Sequence, residues 1–213
     1  MPVNYISPNW NTSVLITIDT QNDFTLPNAP AQIKGTIEVL PKMRSLLEKY
    51  REKGLPIVHV IRLYKEDGSN VDICRKKMVE EGAKFVAPNS DGAELVSEIR
   101  PLNYNSLDAD KLLNGEFQSI GENEWVMYKS RWGAFYKTDL EGFLKQRNID
   151  TIVFTGCNFP NCPRTSIYEA SERDFRVVMV ADSMSQVYEK GIQEMKNIGV
   201  YVCNLNDVMS SLK

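Results

Sequence analysis

Histidine is almost missing from this sequence. His59 is the only one among 213 residues, which by counting excludes any mechanism needing a histidine pair, such as a two-histidine zinc site. Cysteine is scarce as well. Cys74, Cys157, Cys162 and Cys203 are too few and too irregularly spaced for a disulfide framework, which a chain of this length does not need. They read as reduced thiols of a cytoplasmic protein. No apolar run approaches the roughly 18 residues that span a bilayer. The stretch from Met1 to Trp10 lacks both the basic flank and the apolar core of a secretory signal. The expectation is a soluble, unsecreted chain with no membrane partner. Positive charge is not in excess either: 25 basic side chains against 28 acidic ones leave a net charge of -3, with no electrostatic footprint for nucleic acid. Apolar residues at 42% and charged ones at 25% sit near the globular average, which disfavours disorder and collagen-like repeats. A single domain over residues 1–213 fits this length.

What the sequence does contain is alternation. Short β-branched runs bounded by turn residues recur at Ser13 to Ile18, Pro56 to Ile61, Glu124 to Tyr128, Thr151 to Thr155, Arg176 to Ala181 and Val200 to Val202. Between or after them lie helical stretches: Ile37 to Lys53 stopped by Gly54, Asp139 to Gln146, Pro163 to Arg173, Gln186 to Asn197, and Leu205 to Leu212 capped by Asn204. Strand and helix in turn predict an α/β fold whose parallel sheet is covered on both faces by helices, because parallel neighbours need crossover connections.

Tyr64 to Asn123 breaks the rhythm. Glycines at 68, 82, 92, 115 and 121 and prolines at 88 and 101 punctuate weak helical segments, with Ala93 to Arg100 and Leu107 to Leu113 the clearest, and no convincing strand. A stretch this long inside an α/β domain predicts a lid or pocket wall within 64–123; a packing or oligomer segment is the alternative.

Ligands of open parallel sheets bind outside the carboxyl ends of the strands. Asp19 follows the first strand, with Gln21, Asp23 and Phe24 close behind. Lys129 follows Glu124 to Tyr128, and Gly156 and then Cys162 follow Thr151 to Thr155. Pro163 is a natural first helical residue, which predicts Cys162 at the N-cap. There the helix dipole, free amides and Lys129 would favour a thiolate. Taken alone, a cysteine in such a turn is a small buried hydrophobe, an acid after a strand is a helix cap, and Lys129 is a solvated lysine beside an aromatic cluster. His59, alternating with Ile57 and Ile61, reads as a core imidazole without chemistry. Cys157 and Cys162 lie five positions apart, not three, and make a weak redox pair.

Together these residues resemble the isochorismatase-like cysteine hydrolases, a family that includes nicotinamidases and N-carbamoylsarcosine amidohydrolases. The resemblance covers nearly the whole chain. It rests on Asp19-Thr20-Gln21-Asn22-Asp23-Phe24, on Lys129 ahead of Ala134-Phe135, and on Thr155-Gly156 followed by Cys162. It implies a three-layer α/β/α domain with a six-stranded parallel sheet in the Rossmann-like order 3-2-1-4-5-6. It also implies a triad of Asp19 as base, Lys129 as electrostatic partner and Cys162 as nucleophile, and a cis peptide at Cys157-Asn158. Nicotinamidases hold a metal on an aspartate and two histidines; this chain has only His59, so no metal or other cofactor is expected. Isochorismatases that cleave a vinyl ether lack the thiol present here as Cys162, which favours acyl chemistry. The chain departs from the family at Phe159, where threonine is usual, and at Pro163, where a small apolar residue is usual.

The resulting expectation is a cysteine hydrolase of a small amide, ureido or imide-like C–N bond, acting through a thioester. Backbone amides of Asn158 and Cys162 would form the oxyanion hole. Gln21, Phe24, Arg131, Trp132, Phe159 and Arg164 are the candidate substrate contacts. Arg131 and Arg164 could pair with a substrate carboxylate or merely form surface ion pairs. The competing reading is a non-catalytic or redox-sensing protein using Cys157 and Cys162. The expected partner is a small molecule, with a homo-oligomer, dimer or tetramer, implied by similarity.

Overall fold

A computed structural model describes residues 4–213. Strand β1 (Ser13–Ile18) is followed by a single turn, α1 (Asn22–Thr25), and by α2 (Thr36–Glu52). Next come β2 (Ile57–Ile61), α3 (Ile73–Glu80), α4 (Ala109–Leu113), β3 (Gln118–Gly121) and β4 (Glu124–Tyr128). The chain then alternates through α5 (Leu140–Lys145), β5 (Thr151–Gly156), α6 (Cys162–Ser171), β6 (Arg176–Met184), α7 (Glu189–Asn197), β7 (Tyr201–Cys203) and α8 (Leu205–Ser211). Among the described residues no helix is long and apolar enough to cross a membrane.

The strands form one sheet in the order β3-β4-β2-β1-β5-β6-β7, in which β3 runs antiparallel to β4 and every other pairing is parallel. Every residue of β1, β2 and β5 is buried, as central strands covered on both faces must be. On one face Leu40, Met43, Leu47 and Tyr50 of α2, spaced three or four apart, pack with Val208 and Leu212 against Leu15, Val153 and Val178. On the other, Phe143 and Leu144 of α5, Ile167 and Ala170 of α6 and Met195 of α7 cover Val14, Ile16, Ile152 and Phe154. These are the two helical layers of an α/β/α sandwich.

The sheet departs from the expected six strictly parallel strands. The six expected strands do follow the order 3-2-1-4-5-6, but a seventh, β3, pairs antiparallel along the edge of β4. It lies inside the segment read as strandless. Four residues ending in glycine carry too little alternation to be seen, and the Glu122-Asn123 turn, with Asn123 at φ 53°, folds them back onto β4. Ala93 to Arg100 is not a helix either. It makes two short 3-10 turns, Asp91–Ala93 and Ser97–Ile99. The backbone between them is pulled straight: Asn22 N–H donates to Glu94 O (2.9 Å) and Val96 N–H to Thr20 O (3.2 Å). Helix α3 was not legible because none of its residues is buried, so it has no apolar stripe to read. Residues 64–123 are thus two regions, an exposed stretch around α3 and a packed one from Phe85 to Ile120.

Candidate active site

The middle of the sheet fixes the site. Just past the strand ends the ladders run on by single hydrogen bonds: Asp19 N–H to Val60 O (2.9 Å), Lys129 N–H to Ile61 O (3.0 Å) and Cys157 N–H to Ile18 O (2.9 Å). Because β4, β2, β1 and β5 are neighbours, residues 110 apart in sequence come into contact. Lys129 Nζ lies 2.9 Å from Asp19 Oδ2, with both side chains buried. Asp19 adopts φ 51°, a left-handed conformation uncommon outside glycine and costly enough to need the surrounding ladders to hold it. Gly156 across from it, at φ 122°, has no alternative: a Cβ there would stand 2.4 Å from the Ile18 carbonyl oxygen.

Cys162 opens α6, followed by Pro163. The N-cap is Asn161, not Cys162, so the thiol sits one position further into the first turn than expected. It is 4% exposed. Burial raises its pKa first, the Asp19 charge raises it further, and Lys129 and Arg62 together do not offset them. These surroundings pull towards the thiol, against the thiolate that the helix start alone would favour. Asp19 Oδ1 is buried without a hydrogen-bond partner in the same cluster, an acceptor left over. The Cys157–Asn158 peptide is cis. Among the described residues neither Asn158 N–H nor Cys162 N–H donates to a protein acceptor.

Arg62 is the residue that sequence reading missed. Directly after β2, it is fully buried and its Nη2 approaches Cys162 Sγ to 3.8 Å. Its Nη1 donates to Asp72 Oδ2 (2.8 Å) and Ser130 O (3.0 Å). The strand-end rule that found Asp19, Lys129 and Cys162 would have found it had it been applied to β2. Tyr64 O–H donates to Asp72 (2.6 Å), Arg75 Nη1 lies 3.7 Å from that carboxylate, and the two guanidiniums lie 5.4 and 4.9 Å from the Trp132 ring.

Of the other candidate contacts, Trp132 lies beside the site and the rest are engaged elsewhere. Gln21 spends its amide on backbone, donating to Arg62 O and Ala93 O and accepting from Arg62 N–H. Phe24 packs in the core against Phe85, and Phe159 is fully buried against Tyr188. Arg131 donates to the Asn70 and Ser130 carbonyls, and Arg164 is paired with Glu194 (2.6 Å). Cys157 directs its thiol at Asp19 O (2.9 Å), and burial holds its pKa well above the ordinary range. His59 is a core imidazole as expected, with one ring nitrogen 2.7 Å from Thr17 Oγ1 and the other 2.7 Å from Glu124. With both nitrogens occupied, it offers nothing to the metal site of a nicotinamidase. Among the described residues no group of three or more His, Cys, Asp or Glu side chains is placed to hold a metal ion.

A parallel-dominated α/β/α sandwich with an acid, a base and a thiol at one edge defines a class of hydrolase scaffold. The isochorismatase domain family matches residues 13–207, and the chain belongs to that family of hydrolases. It is similar to a probable inactive nicotinamidase of Arabidopsis thaliana, 28% identical over 95% of this chain and 97% of that one. It is 31% identical to the ureidoacrylate amidohydrolase RutB of Methylorubrum extorquens, over 93% of this chain and 80% of the relative. The crystal structure of an isochorismatase family protein from Desulfovibrio vulgaris superimposes with a TM-score of 0.81 at 31% identity, covering 94% of this chain and 98% of the other.

Proposed function

We propose that this protein hydrolyses the C–N bond of a small amide, ureido or imide-like compound through a thioester on Cys162. The observation that carries the reading is the buried Asp19–Lys129 pair beside a buried thiol, with Asp19 Oδ1 left unpartnered. A charged pair held out of water costs several kcal/mol of desolvation, and a purely structural role would leave no acceptor over. The similarity to an amidohydrolase of a ureido acid supports the same class of bond.

The steps follow from what each group can do. The neutral Cys162 thiol gives its proton to Asp19 as sulfur attacks the carbonyl carbon, and the carbonyl π pair moves onto oxygen. The free N–H groups of Asn158 and Cys162 receive that oxyanion, each such donor being worth about 10²–10³-fold in rate. As the intermediate collapses, the C–N bond breaks and Asp19 returns the proton to the leaving nitrogen. Water then attacks the thioester, its proton passing to Asp19 and on to the departing sulfur. Lys129, 2.9 Å from Asp19 Oδ2, offers its ammonium to that carboxylate and fixes its orientation. The chain is also similar to a probable inactive nicotinamidase, and with His59 as its one histidine it lacks the histidine pair that the resemblance implies for nicotinamidases.

A hydrolysis screen against primary amides, ureido acids and imides, with mass spectrometry of the protein during turnover, tests this. The expected result is product release with an acyl adduct on the Cys162 peptide. Turnover that survives Cys162→Ala overturns it. Against the redox alternative, the Cys157 thiol donates to the Asp19 carbonyl oxygen (2.9 Å) and both cysteines are free.

A further inference from the structure

The ionised groups around the sulfur do not balance. Lys129 pairs with Asp19, while Arg62 and Arg75 share the single carboxylate of Asp72, so the cluster carries a net positive charge. Burial by itself would lower the Arg62 pKa, yet the carboxylates of Asp19 and Asp72 help hold it above the ordinary arginine value. One further anion would neutralise the cluster.

The hydrogen bonds of Arg62 say where that anion belongs. Nη1 is spent on Asp72 and the Ser130 carbonyl. Nε is buried with no partner at all, and Nη2 has only the distant contact with sulfur at 3.8 Å. Nε–H and the neighbouring Nη2–H are parallel donors on one edge of the guanidinium, the fork that a carboxylate occupies with two oxygens. An unsatisfied buried donor costs about 1–3 kcal/mol, so a fully buried arginine whose Nε–H has no partner and whose Nη2 reaches only a sulfur is shaped for a ligand rather than for stability. Trp132 and Tyr64 lie 5.4 and 5.8 Å from this guanidinium and flank it with aromatic surface, a dry setting in which such a pair is strong. Asp72 Oδ1 is a leftover acceptor in the same cluster, so a neutral ligand carrying both a donor and an acceptor is the competing occupant.

We propose that Arg62, supported by Arg75, is a specificity-determining residue that takes a carboxylate of the substrate close to the bond cleaved, so that the site selects anionic amides or ureido acids over neutral ones. This rests on Cys162 as the reactive thiol and deepens the function proposed above, but its test does not require hydrolysis. Iodoacetate and iodoacetamide alkylate thiols by the same displacement: sulfur forms a bond to the CH₂ carbon, and iodide leaves with the electron pair. They differ only in carboxylate against carboxamide. The ratio of their rates at Cys162, read by peptide mass spectrometry and divided by the ratio for 2-mercaptoethanol in the same tube, cancels the amount of thiolate.

The expected normalised ratio is about tenfold or more in favour of iodoacetate. It should fall to near one in Arg62→Gln and part of the way in Arg75→Gln, whose side chain is partly solvent-exposed and less demanding of the fold. A wild-type ratio at or below one overturns the proposal, and preference for iodoacetamide assigns the fork to a neutral carboxamide. A Cys162 that neither reagent reaches overturns it too, since a fork no small anion enters selects nothing. The outcomes separate from those of the hydrolysis screen. A high ratio without turnover refutes the proposed reaction and keeps the anion site. Turnover of neutral and anionic amides alike with a ratio of one does the opposite.

Discussion

Two clusters of buried charge lie on the same central strands, and they are built differently. Near the amino end of β4, Glu124 receives two hydrogen bonds from Arg51 (2.8 and 2.7 Å), and His59 bridges it to Thr17 across the strands. No polar side-chain atom there lacks a partner. At the carboxyl ends, Asp19, Arg62 and Asp72 each keep one buried atom without a partner. Buried polar groups are normally satisfied, and unsatisfied ones mark places where the fold bears a cost for another reason. The closed cluster is fully satisfied within the fold, whereas the open one keeps free hydrogen-bonding atoms, the feature on which the proposed reaction and anion site rest.

The sharpest way to break this comparison is Cys162→Ala. It should reduce turnover by about 10⁴-fold or more while changing unfolding free energy by only about 1 kcal/mol. Unimpaired turnover would mean that the open cluster is not the reacting centre. Asp19→Asn keeps the shape but not the proton acceptor and should cost about 10²–10⁴-fold in kcat, measured alongside Cys162→Ala because groups acting as a unit do not add.

Lys129→Met leaves Asp19 charged and unpaired, with a loss of about 3–5 kcal/mol in stability. It also removes one of the two cations that oppose the raised Cys162 pKa, so the pH at which Cys162 is alkylated should rise by about one unit or more. An unchanged pH profile would remove Lys129 from the thiol's surroundings.

Glu124→Gln should lower stability without moving that profile. Burial works to raise the Glu124 pKa, but hydrogen bonds from Arg51 and His59 outweigh it and hold it down to about 2, against an unfolded value of 4.5. A depressed folded pKa contributes stability that is fully present above pH 4.5 and is lost as pH falls towards 2, here about 3 kcal/mol. Urea unfolding at several pH values should therefore give a steeper acid loss in the wild type than in Glu124→Gln. Parallel curves would show that the closed cluster does not stabilise.

The smallest effect concerns the exposed stretch around α3. Protease should cut between Lys65 and Gly82 before it cuts the packed part of 64–123, and a carboxylate ligand bridging Arg62 and Arg75 should slow that cut severalfold. Equal cutting in both parts would remove the reason to treat α3 as a lid.

Much of the site was legible because strand ends in a parallel sheet converge. Asp19, Lys129 and Cys162 each follow a run of β-branched residues, and parallel order brings such residues to one edge whatever their distance along the chain. Side-chain direction was not legible. Gln21, Phe24, Phe159 and Arg164 stand within five residues of that triad, yet turn to backbone, core or a surface partner, because direction past a strand end depends on local dihedrals that composition does not reveal. Arg62 escaped for the converse reason: a charged residue after a buried strand looks like the start of a solvated loop until Asp72 and Trp132 are seen to enclose it.

The sequence by itself determined the alternation of strands and helices, the exclusion of a paired-histidine metal site and the position of Asp19, Lys129 and Cys162 just past strand ends. Each of these follows from local periodicity or from counting. Only the tertiary structure decided that burial pushes the Cys162 pKa up, that β3 adds an antiparallel edge, and that Arg62 keeps a buried Nε–H without a partner. The reason is physical: protonation, edge pairing and unsatisfied hydrogen bonds depend on what residues far away in sequence exclude or supply, and burial creates those terms only once the chain has folded.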